Sequence, residues 1–203
     1  MTTRTSSALL IMDLQNVTVA LLGEDAEEYL ATLNRVAESA RAAQIPVIYV
    51  RIAFRKGAPE MSPRNRLSER FGSDALYESN PATQILEAVA PHDEDIIVTK
   101  RRVSAFSGSD LDVVLRSLQV DALVLTGIAT SGVVLSTLRQ AADLDFGLTV
   151  LSDGCADSDP EVHRLLTEKV FPRQASVVTA TEWIDSLDSA RDTAPDGAPP
   201  DSL

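Results

Sequence analysis

A chain of 203 residues is long enough for one domain with a sizeable core, and 44% hydrophobic against 24% charged residues places it among soluble globular proteins. The formal net charge of −12 speaks against a general binder of nucleic acid or anionic membrane, whose phosphates attract basic faces. A single cysteine, Cys155, and two histidines exclude an intramolecular disulfide and a Cys/His zinc cluster.

The first strand is read in ALLIMD, residues 8–13. Its apolar run is too short to cross a bilayer, and no signal-peptide core or cleavage site precedes it, so the chain is expected in the cytoplasm. An amphipathic helix over residues 24–43 leads to a second strand over 46–52. Residues 53–79 then form a long insertion, of the kind more often functional than accidental. Residues 51–70 carry a net charge of +4, Arg51 among them, in an acidic protein. Arginines suit bidentate binding of a small anion, and a solvated loop or subunit contact is the alternative.

A helix over residues 81–89 precedes the third strand, 95–100, and another over 110–118 precedes the fourth, 122–127. Helix 132–144, strand 148–153, helix 160–170 and strand 176–179 follow, and Thr181 is placed as the cap of a last short helix. Near-continuous apolar strands alternating with helices predict a three-layer α/β, Rossmann-like fold with a six-stranded, mainly parallel sheet. The domain is drawn over residues 1–187, and residues 188–203, rich in Pro, Asp, Ala and Ser, read as a disordered tail.

In open α/β sheets ligands bind at the carboxyl ends of the strands, so the residues ending each run are the candidates for chemistry. Asp13 ends the first strand, Lys100 the third, and the turn GIATSG follows the fourth. A carboxylate and an ammonium meeting there can hold each other ionised or share a proton with a substrate. Position alone leaves open that Asp13 caps a turn and that Lys100 is one solvated base of KRR. Gln15, Arg51, Phe54 and Phe106 are candidates for contacts to a substrate, with Phe71 and Tyr77 as further aromatic walls, although core packing is an ordinary role for each aromatic.

The segments ALLIMDLQN, DIIVTKRRVSAFSGSDLDVVL and ALVLTGIATSGVVLSTLRQAADLDFGLTVLSDGCAD together resemble the isochorismatase-like, or cysteine hydrolase, superfamily. It includes nicotinamidases, N-carbamoyl amidohydrolases and isochorismatases, and the resemblance covers most of residues 7–183 in order and spacing. It implies an Asp and a Lys flanking a nucleophilic Cys, roles that fall on Asp13, Lys100 and Val133. It also implies a cis peptide at Ile128-Ala129, with the turn Ile128, Ala129, Thr130, Ser131 and Gly132 aiming backbone N–H groups at a developing oxyanion. Dimers or tetramers are implied as well.

Valine has no lone pair with which to attack a carbonyl, so thiol catalysis at position 133 is impossible. Cys155 reads as a small buried hydrophobe, and Ser131 lacks the flanking glycines of a nucleophile elbow. Neither His92 nor His163 is at a strand end to activate Ser131, and Ser136 and Thr137 fall where helix packing is the default. Isochorismatases lack the Cys and hydrolyse a vinyl ether with the Asp as general acid and water as the attacking group. That chemistry is the leading expectation for Asp13 and Lys100, although the turn Ala-Thr-Ser departs from the isochorismatase pattern. A binding protein that has lost catalysis, or an amidase using water or Ser131, are the alternatives. VRIAFRKG has no imidazole or carboxylate where nicotinamidases carry a metal-binding motif, so a metal-free, cofactor-free site acting on a small molecule is expected.

Overall fold

Strands that are apolar on both faces need cover on both faces, and helices provide it on either side of one sheet. The computed structural model of the chain describes residues 6–19, 26–66 and 76–192. Strands β1 (Ser7–Met12), β2 (Val47–Ile52), β3 (Ile96–Lys100), β4 (Ala122–Ile128), β5 (Gly147–Ala156) and β6 (Ser176–Val178) lie in the order β3-β2-β1-β4-β5-β6. Each adjacent pair is parallel, so the expected α/β sheet is present and all six strands share one direction. The helices are α1 (Asn16–Val19), α2 (Ala26–Ala42), α3 (Leu111–Ser117), α4 (Leu135–Asp143), α5 (Pro160–Leu165) and α6 (Ala180–Asp192).

The two-residue period of a strand divides the core. Ala8, Leu10 and Met12 of β1 join one buried cluster with Leu111 and Leu115 of α3 and Leu138 of α4. Leu9 and Ile11 join another with Leu33 and Val36 of α2 and Trp183 of α6. From β1 the chain moves outward to β2 and β3, whereas β4, β5 and β6 build outward from the opposite side of β1. The boundary between β1 and β4 is therefore the switch point at which such sheets open a crevice. There Met12 pairs with Gly127, whose φ is +136° and whose Cβ, if present, would stand 2.3 Å from the Met12 carbonyl oxygen. Only glycine lets β4 come this close to the end of β1.

Four segments depart from the sequence reading. Residues 81–89 form two short 3-10 turns, Pro81–Thr83 and Glu87–Val89, instead of one helix. Between them Gln84 is extended, Ile85 bridges to Gln15, and the Leu86 N–H donates to the Leu14 carbonyl, so the backbone is spent on strapping the end of β1. The helix expected from residue 132 begins as a π-helical turn, Thr130–Val134, which runs into α4. The last helix is capped by Thr179, not Thr181: Glu182 accepts from the Thr179 N–H at 2.7 Å and Thr179 Oγ1 accepts from the Glu182 N–H at 3.2 Å, a reciprocal capping box. That helix extends to Asp192, so residues 188–192 of the expected tail are helical, the first proline beyond being Pro195; residues 193–203 lie outside the described part.

Candidate active site

Asp13 follows β1 directly and its N–H still donates to the Val50 carbonyl at 2.7 Å, so the sheet fixes its position. Its φ of 57° lies in the left-handed region, which Asp tolerates better than most residues, and the Thr18 hydroxyl donates to its carbonyl. The carboxylate is buried, with Oδ2 2.8 Å from Lys100 Nζ, and Oδ1 has no hydrogen-bond partner among the described residues. Burial is the largest influence on this carboxyl and pushes its pKa above the ordinary 3.8, while the charge and hydrogen bond of Lys100 pull it down.

Lys100 ends β3, two strands from β1, and its side chain reaches back across β2. It is 1% exposed, which only a fully paired ammonium sustains. Besides Asp13 it donates to the carbonyls of Arg102 at 3.1 Å and Val103 at 2.9 Å, so its three hydrogens are all engaged. The loop supplying those carbonyls is buckled to the helix beyond Val133: Ser104 Oγ donates to Gln140 Oε1 at 2.7 Å and the Ala105 N–H donates to Thr137 Oγ1 at 2.9 Å. Thr137 thus has the packing role expected of it.

On the other side of the switch point stands the turn after β4. The Ile128-Ala129 peptide is cis, as the resemblance implied. Ala129 O accepts from the N–H groups of Gly132 at 3.0 Å and Val134 at 3.3 Å. The Ser131 N–H donates to Asp157 Oδ2 at 2.7 Å, and Thr130 Oγ1 lies 2.8 Å from His163 Nδ1. His163 was passed over in the sequence because it sits on a helix instead of a strand end; α5 nevertheless carries it to the turn. The one sequence signal was its place just after Asp157 and Asp159, in the segment that leaves the carboxyl end of β5. Val133 is 2% exposed in the core cluster that also holds Met12, Phe106 and Cys155.

The remaining candidates divide. Phe106 shares the Val133 cluster, its ring centroid 6.0 Å from that of Phe146. Phe54 is fully buried in a separate small cluster with Ile52 and Leu76 and bridges to Tyr77. Gln15 is not open to a substrate: its amide donates to the carbonyls of Ile52 at 2.9 Å and Thr83 at 2.7 Å, and its oxygen accepts from the Ile52 N–H at 2.8 Å. Arg51 donates to Thr99 Oγ1 at 3.1 Å and Gln84 Oε1 at 3.3 Å, which directs its guanidinium to neighbouring side chains. Arg55 pairs with Glu60, so part of the basic insertion is neutralised locally; Phe71 and Arg70 lie outside the described residues. A groove of about 760 Å³ opens along the β3 edge beside Thr99, Arg101 and Arg102, and its lining includes neither Asp13 nor Lys100.

Cys155 is no substitute nucleophile. It is buried on β5 opposite Gly127, and burial pushes its thiol far above the ordinary range. Among the described residues no group of three or more His, Cys, Asp or Glu side chains is arranged to hold a metal ion, and no helix is long and apolar enough to cross a membrane.

The parallel sheet order, with a buried carboxylate paired to an ammonium beside the switch point, is that of an α/β fold, and relatives named as amidohydrolases place the chain in the hydrolase class. The chain belongs to the isochorismatase family, whose Isochorismatase domain is matched over residues 7–182. It is 31% identical over 192 residues to the isochorismatase family protein YecD of Escherichia coli O157:H7, covering 90% of this chain and 96% of that protein. It is 30% identical over 207 residues to the ureidoacrylate amidohydrolase RutB of Pseudomonas syringae pv. syringae strain B728a, covering 90% of this chain and 81% of that protein. The crystal structure of a cysteine hydrolase from Pseudomonas syringae pv. phaseolicola 1448A superposes with a TM-score of 0.83 at 27% identity, covering 91% of this chain and 93% of that one.

Proposed function

We propose that this chain hydrolyses a small vinyl (enol) ether by general acid chemistry at Asp13, with water as the attacking group and no covalent intermediate. The observation that carries the proposal is the division of labour on one carboxyl: Oδ2 is held by Lys100, and Oδ1 is buried without a partner among the described residues. An orphaned buried oxygen is costly unless a ligand uses it. Burial favours the protonated acid, so Asp13 can keep a proton to give. Donated to the β-carbon of an enol ether, that proton generates an oxocarbenium ion. Water adds to this ion and its released proton restores Asp13, after which the hemiketal collapses to a ketone and an alcohol.

Lys100 has no hydrogen left for a substrate, so its role is to orient Asp13 and limit how far its proton affinity rises. By the family resemblance Val133 falls where cysteine hydrolases carry their thiol, and an aliphatic side chain there suits a reaction in which water, not the protein, attacks. The turn Ile128, Ala129, Thr130, Ser131 and Gly132 shapes the facing side.

The test is a hydrolysis screen of the purified protein against isochorismate, simpler enol ethers and small amides, beside Asp13→Asn. Enol-ether turnover that disappears in the variant supports the proposal. Amide turnover that survives in Asp13→Asn overturns it in favour of another nucleophile, and ligand binding without turnover in either protein overturns it in favour of a binding role.

A further inference from the structure

We propose that His163 is a positioning residue for the candidate site, its Nδ1 holding the Thr130 hydroxyl so that the turn after β4 keeps its shape opposite Asp13. The inference rests on the hydrolase reading above for its consequence in turnover, but not for the interaction itself.

Thr130 opens the π-helical turn and is fully buried, so its hydroxyl cannot be left without an acceptor at low cost. Among the described residues its hydrogen-bond partner is His163 Nδ1, at 2.8 Å. That assigns the hydroxyl hydrogen to this bond, and the proton of the neutral imidazole to Nε2. One residue on, the Ser131 N–H is held by Asp157 Oδ2 at 2.7 Å. Both arms leave the same segment beyond β5, and that segment is braced in turn. Asp159 caps α5 by accepting from the N–H groups of Glu161 at 2.9 Å and Val162 at 3.2 Å, and the Thr167 hydroxyl donates to the His163 carbonyl at 2.9 Å. A wide π turn makes fewer internal hydrogen bonds than an α-helix start, so external arms have a mechanical purpose here.

The arrangement is not a Thr-His-Asp nucleophile. Thr130 has no exposed surface from which to attack, and the Asp157 carboxylate accepts from the backbone N–H groups of Ser131 and Asp159. The turn itself carries no charge. Asp157 is the charged group facing the ring, Asp159 is occupied by its capping bonds, and Arg164 and Glu168 pair with each other at 2.9 Å, leaving Lys169 as the other charge on the following turn. Burial outweighs Asp157 and keeps the imidazole below its ordinary 6.5, consistent with a ring that accepts at neutral pH. On protonation Nδ1 becomes a donor, and the Thr130 hydroxyl loses its acceptor.

The experiment compares His163→Leu, which removes the acceptor, with His163→Asn, whose carbonyl oxygen stands near the place of Nδ1, and with Thr130→Val. In the full-length protein, imidazole nitrogen shifts are expected to report Nδ1 as unprotonated at pH 7.5. Backbone amide shifts of residues 129–134 are expected to move in His163→Leu and to return toward wild type in His163→Asn. On whichever enol ether the protein turns over, His163→Leu is expected to lower kcat by about 100-fold, the cost of a misplacement on the order of 1 Å, with KM nearly unchanged. The double variant with Thr130→Val should lose no more than either single variant. A proton found on Nδ1, or unmoved amide shifts in His163→Leu, overturns the proposal whatever the substrate. Retained kcat beside a dead Asp13→Asn overturns it while leaving the hydrolase reading intact; moved shifts with no turnover in wild type fail only the hydrolase reading.

Discussion

Asp13 holds its proton more tightly than an ordinary carboxyl because burial outweighs the neighbouring ammonium, and this gives the reaction a direction in pH. The general acid proposed at Asp13 must be protonated, so on that proposal kcat/KM is expected to fall as pH rises through the elevated Asp13 value, with a limb above the usual carboxylate range. Lys100→Met removes the opposing cation and should carry that limb to still higher pH, which a pH-rate profile would show; a limb that vanished with Lys100 would mean that the ammonium itself donates. Asp13→Asn should cost at least about 100-fold in kcat, the lower range for a positioned acid. Gln15 makes the opposite kind of prediction. Its three buried hydrogen bonds fasten the end of β2 and the Pro81–Thr83 turn to the start of α1. Gln15→Leu strands backbone groups in the interior and is expected to lower unfolding free energy by about 2 to 4 kcal/mol, with KM unchanged in the folded fraction. Denaturant titration and steady-state kinetics on one preparation would separate this from a substrate contact.

At the scale of elements, the strands were legible because each is an unbroken apolar run with polar residues at its ends, and strand ends are where Asp13 and Lys100 stand. What was not legible depends on partners distant in sequence. Residues 81–89 have a helical pattern, yet Gln84 and Leu86 make backbone bonds with Asn16 and Leu14, about 70 positions away. His163 lies on a helix face that points to chemistry only because β4 and β5 are neighbours, with Gly127 beside Cys155. Gln15 and Arg51 read as ligand-binding polar residues in the sequence, which does not show that their hydrogen bonds run to backbone and neighbouring side chains. The β1–β4 contact is the element on which the site depends most. Gly127→Ala forces a side chain into the Met12 carbonyl at a φ of +136°. The backbone conformation alone costs about 1 to 3 kcal/mol. With the collision added, thermal denaturation should show a large loss of stability, and any folded remainder should be inactive because Asp13 follows Met12 directly. A soluble variant with wild-type turnover would contradict that close approach.

For the whole molecule, the two arms of the site tilt stability against pH in opposite senses, and the signs differ because one group is an acid raised by burial and the other a base lowered by it. Above the ordinary carboxylate value the unfolded chain has released the proton that folded Asp13 still holds, so this group makes stability fall as pH rises toward its folded value. His163 acts the other way. Below 6.5 the unfolded chain takes up a proton that the folded ring refuses, so stability falls as pH drops from 6.5 toward the lowered folded value. One proton sets a ceiling of about 1.4 kcal/mol per pH unit, and solvent screening at a half-buried ring keeps the slope below that ceiling. The background of a chain with net charge −12 is common to wild type and variant, so the difference between them isolates the single group. His163→Asn cannot titrate but keeps an acceptor for Thr130, and urea midpoints between pH 7.5 and 5.5 should therefore decline less for the variant than for wild type. Parallel lines would mean that the ring protonates equally in folded and unfolded chains, which a half-buried imidazole accepting the Thr130 hydroxyl does not allow.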